Sequence, residues 1–263
     1  VAALLGGLFA NSLEPARRVD AWTSDLWHVL AGKRYEPSRV AVALLDDAAL
    51  AAEPDRPLVF WGPLYAKILA RLRQVGAVAV GMDIQPALSP VTWMDIIGAD
   101  TSRDFDREFM LELSKGNIIL AASVSTESGE ASFSLPAMDY LLALPHHEAD
   151  LGLTNVPLDR DGVVRRFAPA LYSEGEPRLF FAAAPAHTER HAAPGLAGLD
   201  IRAALQPRPI PFAGPPGTFA PVSFARLLAP DALNDPQVQA LAGKIVILGI
   251  DIHGAHDRLA SPY

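Results

Sequence analysis

Four short stretches of the chain are apolar without alternation: residues 40–45 (VAVALL), 78–82 (VAVGM), 118–122 (IILAA) and 245–250 (IVILGI). A strand with one wet face alternates apolar and polar side chains, so these runs predict core strands covered on both faces, the habit of a parallel sheet. The segments between them repeat at helical spacing. In PLYAKILARLRQVG, Pro63 suits a first turn, Leu64, Ile68, Leu72 and Val75 share one face, and Gly76 suits a C-cap. In SRDFDREFMLELSKG, Ser102 is a capping residue, Phe105, Phe109 and Leu113 point one way, and Gly116 is the stop. Strand and helix therefore alternate. That order predicts an α/β fold: a mainly parallel central sheet with helices on both faces.

Two regions depart from this rhythm. Ahead of the first strand, residues 1–10 (VAALLGGLFA) are apolar and uncharged, and are expected to be the remaining half of a membrane span, being too short to cross a bilayer alone. Next, an amphipathic helix is expected from Pro15 to Leu30, with Val19, Trp22, Leu26 and Leu30 on one stripe. Such a stripe either packs on its own domain or forms a seam between two protomers. In the middle third, LGLTNVPLDRDGVVRRFAPALY reads as an inserted β-hairpin turning at Asp161 and Gly162. The divisions are residues 1–38, a helical membrane-proximal segment, and residues 39–263, one large α/β domain.

Composition removes several function classes. The 263 residues carry a formal net charge of -8 with no basic run, which argues against nucleic acid as a partner. With no cysteine, thiol nucleophiles, thiolate metal sites and disulfides are excluded.

Candidate chemistry lies at the strand ends. Asp46 and Asp47 close the first apolar run, Asp83 the second and Asp251 the last, and a parallel sheet brings such ends to one edge. Converging carboxylates would suit a cation or polar ligand; the structural alternative is that each caps a following turn. Past the last strand, His253, His256 and Asp257 suggest a metal-dependent hydrolase, although histidines three apart on a loop share no fixed face. GPPGTF at 214–219 opens like a phosphate loop, but Phe219, Ala220 and Pro221 replace the Lys and hydroxyl that nucleotide binding needs, so a turn is expected. There is neither an Asp-x-Asp-x-Thr after the first strand nor a G-x-S-x-G elbow.

Six segments in order, VAVALLDDAAL, LYAKILARLRQVGAVAVGMDI, GNIILAASVST, LGLTNVPLDRDGVVRRFAP, FAGPPGTFAPVSFARLLA and GKIVILGIDIHGAHDRLASPY, resemble a CHASE domain of the second type from about Arg39 to Tyr263. The resemblance implies an extracytoplasmic (periplasmic) sensor of a bacterial membrane receptor, not a catalyst. It further implies neighbouring membrane helices, a cytoplasmic cyclase or kinase output, a homodimer, no cofactor, and a small molecule or ion as stimulus. Where the family carries a Trp-Pro-Trp-Pro-Arg run, this chain has LVFWGPLYA, which keeps the aromatic and proline but not the arginine. On this basis the expected ligand-binding residues are Asp47, Trp61, Tyr65, Asp83, Asp251, His256 and Asp257. The long connection QPALSPVTWMDIIGADTSRD, containing Trp93, is placed as a lid over the acidic edge.

Overall fold

A computed structural model describes residues 14–86, 89–90, 105–125, 132–173, 176–186, 198–253 and 259–263. The four apolar runs become strands β1 (Val40–Asp46), β2 (Ala79–Met82), β3 (Ile118–Ser125) and β11 (Ile245–Asp251). Shorter strands are β4 (Ser132–Ser134), β5 (Leu151–Leu153), β6 (Arg166–Phe167), β7 (Ala170–Ser173), β8 (Glu176–Leu179), β9 (Arg208–Pro209) and β10 (Val222–Ser223). The central sheet runs β10-β1-β11-β2-β3-β4, with β5 also on β3. Every pairing in it is parallel except β3 with β4. The last strand enters between the first two, in register from Val40 opposite Ile245 to Asp46 opposite Asp251.

The helices are α1 (Glu14–Ala31), α2 (Asp47–Ala52), α3 (Gly62–Val75), α4 (Arg107–Ser114), α5 (Met138–Ala143), α6 (Ile201–Ala204), α7 (Phe224–Leu228) and α8 (Pro236–Gln239). Crossover helix α3 returns the chain from β1 to β2. It buries Leu64, Ile68, Leu69 and Leu72 and stops where Gly76 takes a left-handed φ of 85°. Each such side chain, fully buried, stabilises the fold by about 1.5–3 kcal/mol. With α4, α5 and α7 it covers the sheet face formed by Leu45, Met82, Leu120 and Leu248. The alternate residues Ile119, Ala121 and Ile247 point the other way, against Leu179, Phe181 and Ala184.

The expectation of helices on both faces is thus met unevenly among the described residues. One face carries a helical layer of several elements, while the other is packed by residues 179–184, the last of which opens a helical stretch at 184–186, and by Leu199. Close approach explains Gly81 there, because a Cβ would sit 3.0 Å from the Phe181 ring and 2.9 Å from Ile247.

The expected inserted hairpin is corrected in its pairing. A turn does form, with the Gly162 amide donating to the Asp159 carbonyl and the Asp159 amide to Val163. Its arms do not pair with each other: β5 joins β3 and β6 joins β9. The second arm is drawn away because Val163 bridges Ala260 and the Arg165 carbonyl accepts from Ile210. A hairpin forms one step later, between β7 and β8.

Helix α1 turns its apolar stripe outward. Val19, Trp22, Leu26 and Leu30 are 61%, 63%, 41% and 72% exposed. Half-buried Ala21, Asp25 and His28 occupy the opposite face. No part of the described domain covers this stripe. Val1–Ala10 and the proposed lid residue Trp93 lie outside the described residues.

Candidate functional site

Parallel pairing brings the strand-end acids to one edge as expected, but each is engaged locally. The Oδ1 of Asp46 accepts from the Ala49 amide at 3.0 Å, capping α2, and from the Ser223 hydroxyl at 2.7 Å. Asp47 Oδ1 accepts from the His253 amide at 2.9 Å. Directly opposite Asp46 stands Asp251, and Asp83 donates its amide to Leu248, one step past β2. Asp47, Asp83 and Asp251 are exposed. Among the described residues, no three His, Asp or Glu side chains gather as metal ligands. His256 and Asp257 lie outside the described residues.

Trp61 and Tyr65 stand elsewhere, in the core. Trp61 is fully buried and donates Nε1 to the Arg56 carbonyl at 3.0 Å. It begins an aromatic column: Trp61 to Tyr65 at 6.1 Å, Tyr65 to Phe109 at 5.8 Å, and Phe109 to Tyr140 at 5.1 Å between ring centroids. Burial pushes the Tyr65 phenol well above its ordinary pKa. The column ends at Asp106, which is 1% exposed and takes the Tyr140 hydroxyl on Oδ2 at 2.5 Å. The other oxygen, Oδ1, is buried without a hydrogen-bond partner. Burial raises the pKa of this carboxyl, partly offset by the Tyr140 hydrogen bond. Gly62 accommodates it, since a Cβ there would fall 1.9 Å from Asp106 Oδ1.

The strongest charged constellation is one the strand-end argument missed. Arg165, 9% exposed, donates Nε and Nη2 to the two oxygens of Asp25 at 2.8 and 2.6 Å. Its Nη1 reaches Asp159 at 3.0 Å and Asp161 at 2.9 Å, and Nη2 also reaches Asp161 at 2.8 Å. All five guanidinium N–H donors are thereby used. Asp161 is held down to about pKa 2 chiefly by its hydrogen bond to Arg165. The Arg165 charge is in turn stabilised, most of all by Asp25. Two of its partners were visible in LDRDGVVRR as acids beside a turn followed by arginine. Asp25 was not, being 140 residues away.

The same segment grips the far end of the chain. The Val164 amide donates to the Ala260 carbonyl at 2.9 Å, and Val163 bridges Ala260. Tyr263 then donates its hydroxyl to Gly32, just past α1, at 2.9 Å. The ring of His28 on α1 meets Phe212 and Tyr263 edge-on, at 5.6 and 5.8 Å. Residues 159–165 thus tie α1 to residues 260–263.

A family model described as the CHASE2 domain matches residues 1–263, so the chain belongs to the CHASE2 family. This is a family of extracytoplasmic sensory domains rather than catalysts. No curated protein and no solved structure matches the chain. No helix among the described residues is long and apolar enough to cross a membrane.

Proposed function

We propose that this CHASE2 domain receives a stimulus for a bacterial membrane-bound receptor and passes it to a cytoplasmic nucleotide cyclase or histidine kinase. The proposal includes anchorage by membrane spans flanking the domain. The observation that carries it is the junction at Arg165, where one short segment holds both α1 and residues 260–263. A shift of that segment moves both ends together, which is what a domain must do to transmit a change to whatever it is attached to. In the full-length receptor, Arg165→Gln is expected to change basal cyclase or kinase output severalfold at unchanged abundance in the membrane fraction. Unaltered output across repeated assays, or a receptor found outside the membrane, would refute the reading.

The proposal extends to a homodimer through α1. The helix is bound to its own domain through Asp25 and His28, which leaves Val19, Trp22, Leu26 and Leu30 to face outward at spacings of three and four residues. An identical helix supplies a matching seam. The isolated domain should pair weakly, because association entropy offsets much of the apolar gain. Sedimentation velocity checks this: Trp22→Glu with Leu26→Glu should abolish concentration-dependent association, and an unchanged profile counts against the seam.

A further inference from the structure

On the other flank of the sheet, β3, β4, β5, β8 and residues 147–150 line a half-open pocket of about 210 Å³. Its apolar wall includes Phe133, Leu151 and Leu153, and its charged wall is Glu148, Glu176 and Arg178. None of these belongs to the acidic edge or the Arg165 junction.

Arg178 is the reason to read the cavity as a binding site. Its guanidinium carbon lies 5.3 Å from the centre of the Phe133 ring, within cation–π range. Nη1 donates to Glu148 at 3.2 Å. Nε is buried and has no acceptor among the described residues. Of the five donors an arginine offers, this one is left open inside the protein. Native proteins seldom leave such a group unsatisfied, and a planar carboxylate is the partner that matches it.

The other charges narrow the ligand. Glu148 and Glu176 outnumber Arg178 by one charge, so a carboxylate placed on Arg178 calls for an ammonium at the two glutamates as well. Apolar residues cover the remainder. The volume equals that of about seven waters, so the part of an occupant that lies inside is small, roughly ten non-hydrogen atoms or fewer.

We propose that this cavity binds a small apolar α-amino acid. The carboxylate sits on Arg178, the ammonium between Glu148 and Glu176, and the side chain against Phe133, Leu151 and Leu153. This names a ligand class for the sensor proposed above, but it rests on the cavity alone and holds whatever the output.

Calorimetric titration of the 263-residue domain with L-leucine, isocaproate and isoamylamine tests it. Isocaproate lacks the ammonium and isoamylamine lacks the carboxylate. Leucine is expected to saturate the domain, each analogue binding at least about tenfold more weakly, since a lost charged hydrogen bond is worth about that factor. Arg178→Gln should abolish leucine binding without lowering the melting temperature by more than a few degrees, and Glu176→Gln should weaken leucine but not isocaproate. No saturation by leucine, equal binding of either analogue, or undiminished binding to a folded Arg178→Gln domain would overturn the proposal. The analogue series needs no variant, so it decides even if the substitution fails to fold.

Discussion

Arg165 and Arg178 are both drawn into the folded body, yet their surroundings are opposite. Arg165 spends all five donors on three carboxylates and is 9% exposed. Arg178 makes a 3.2 Å bond to an exposed glutamate and, among the described residues, leaves its buried Nε without an acceptor. The first is a completed joint between distant parts of the chain. The second is a charge whose partners are incomplete. A buried charge stabilises only when fully matched, so the two arginines should respond oppositely to removal.

The largest effect separates them directly. Arg165→Met strands three carboxylates and should cost about 3 kcal/mol, the low end for breaking a buried pair because the acids keep some solvent. Arg178→Met should cost less than about 1 kcal/mol, the value of an exposed pair. Urea unfolding of both variants supplies the numbers, and hydrogen exchange should show the α1 amides losing protection only in Arg165→Met. Equal losses would erase the distinction between joint and unfinished site.

Gly62→Ala comes next. Its Cβ would collide with Asp106 Oδ1 at 1.9 Å, so the aromatic column must shift to admit a methyl group. Overpacking of this kind costs about 1–3 kcal/mol, and thermal melting should show it. Pairing it with Asp106→Ala should recover part of the loss; a strictly additive double variant would mean that the carboxylate is not the obstacle.

What could be read in advance, and what could not, follows from sequence distance. The four core strands were legible because uninterrupted apolar runs between turn residues have few other uses. Helix α3 was legible from Pro63, its apolar face and Gly76, and the turn at GPPGTF was likewise foreseen: Thr218 returns its amide and hydroxyl to the Pro215 carbonyl. Strands of two to four residues carry no period, so β6 to β9 were hidden and the turn at Asp161 was taken for a hairpin. The acids were placed on the correct edge by topology, but topology cannot say that Asp46 would cap α2 and Asp47 hold the His253 amide. Trp61 and Tyr65 were chosen through a family resemblance and stand in the core column. Asp25 with Arg165, and Phe133 with Arg178, are long-range meetings that only the folded chain reveals.

The joint should also resist acid. The Asp161 carboxyl is held at about pKa 2, below the roughly 3.9 of an unfolded aspartate, so its contribution is present above that ordinary value and fades as pH falls toward 2. The Asp161–Arg165 pairing should therefore persist at pH 4, and the Asp161 carboxyl resonance followed by NMR as pH falls reads it directly. A midpoint at the ordinary aspartate value would mean that Arg165 does not hold this carboxylate.

The smallest expected effect concerns a second unfinished charge, Asp106, which differs from Arg178 in having almost no solvent to turn to. Burial raises its pKa, so the folded state keeps the proton to higher pH than the unfolded chain does. The sign is then fixed: this group favours folding below the ordinary carboxylate range and loses that contribution as pH climbs past its raised value, where a charge must be buried with Oδ1 unmatched. Asp106→Asn keeps the shape and an oxygen for the Tyr140 hydroxyl while removing the titration. The variant should gain up to about 1 kcal/mol near neutral pH, since a neutral unsatisfied group costs less to bury than a charged one. The gain should shrink as pH falls toward the ordinary carboxylate range, where the native carboxyl takes up its proton. Melting temperatures of the two proteins across that range test it. A difference that stays constant with pH would show that Asp106 does not titrate anomalously, and a loss at every pH would show that the carboxylate is matched after all.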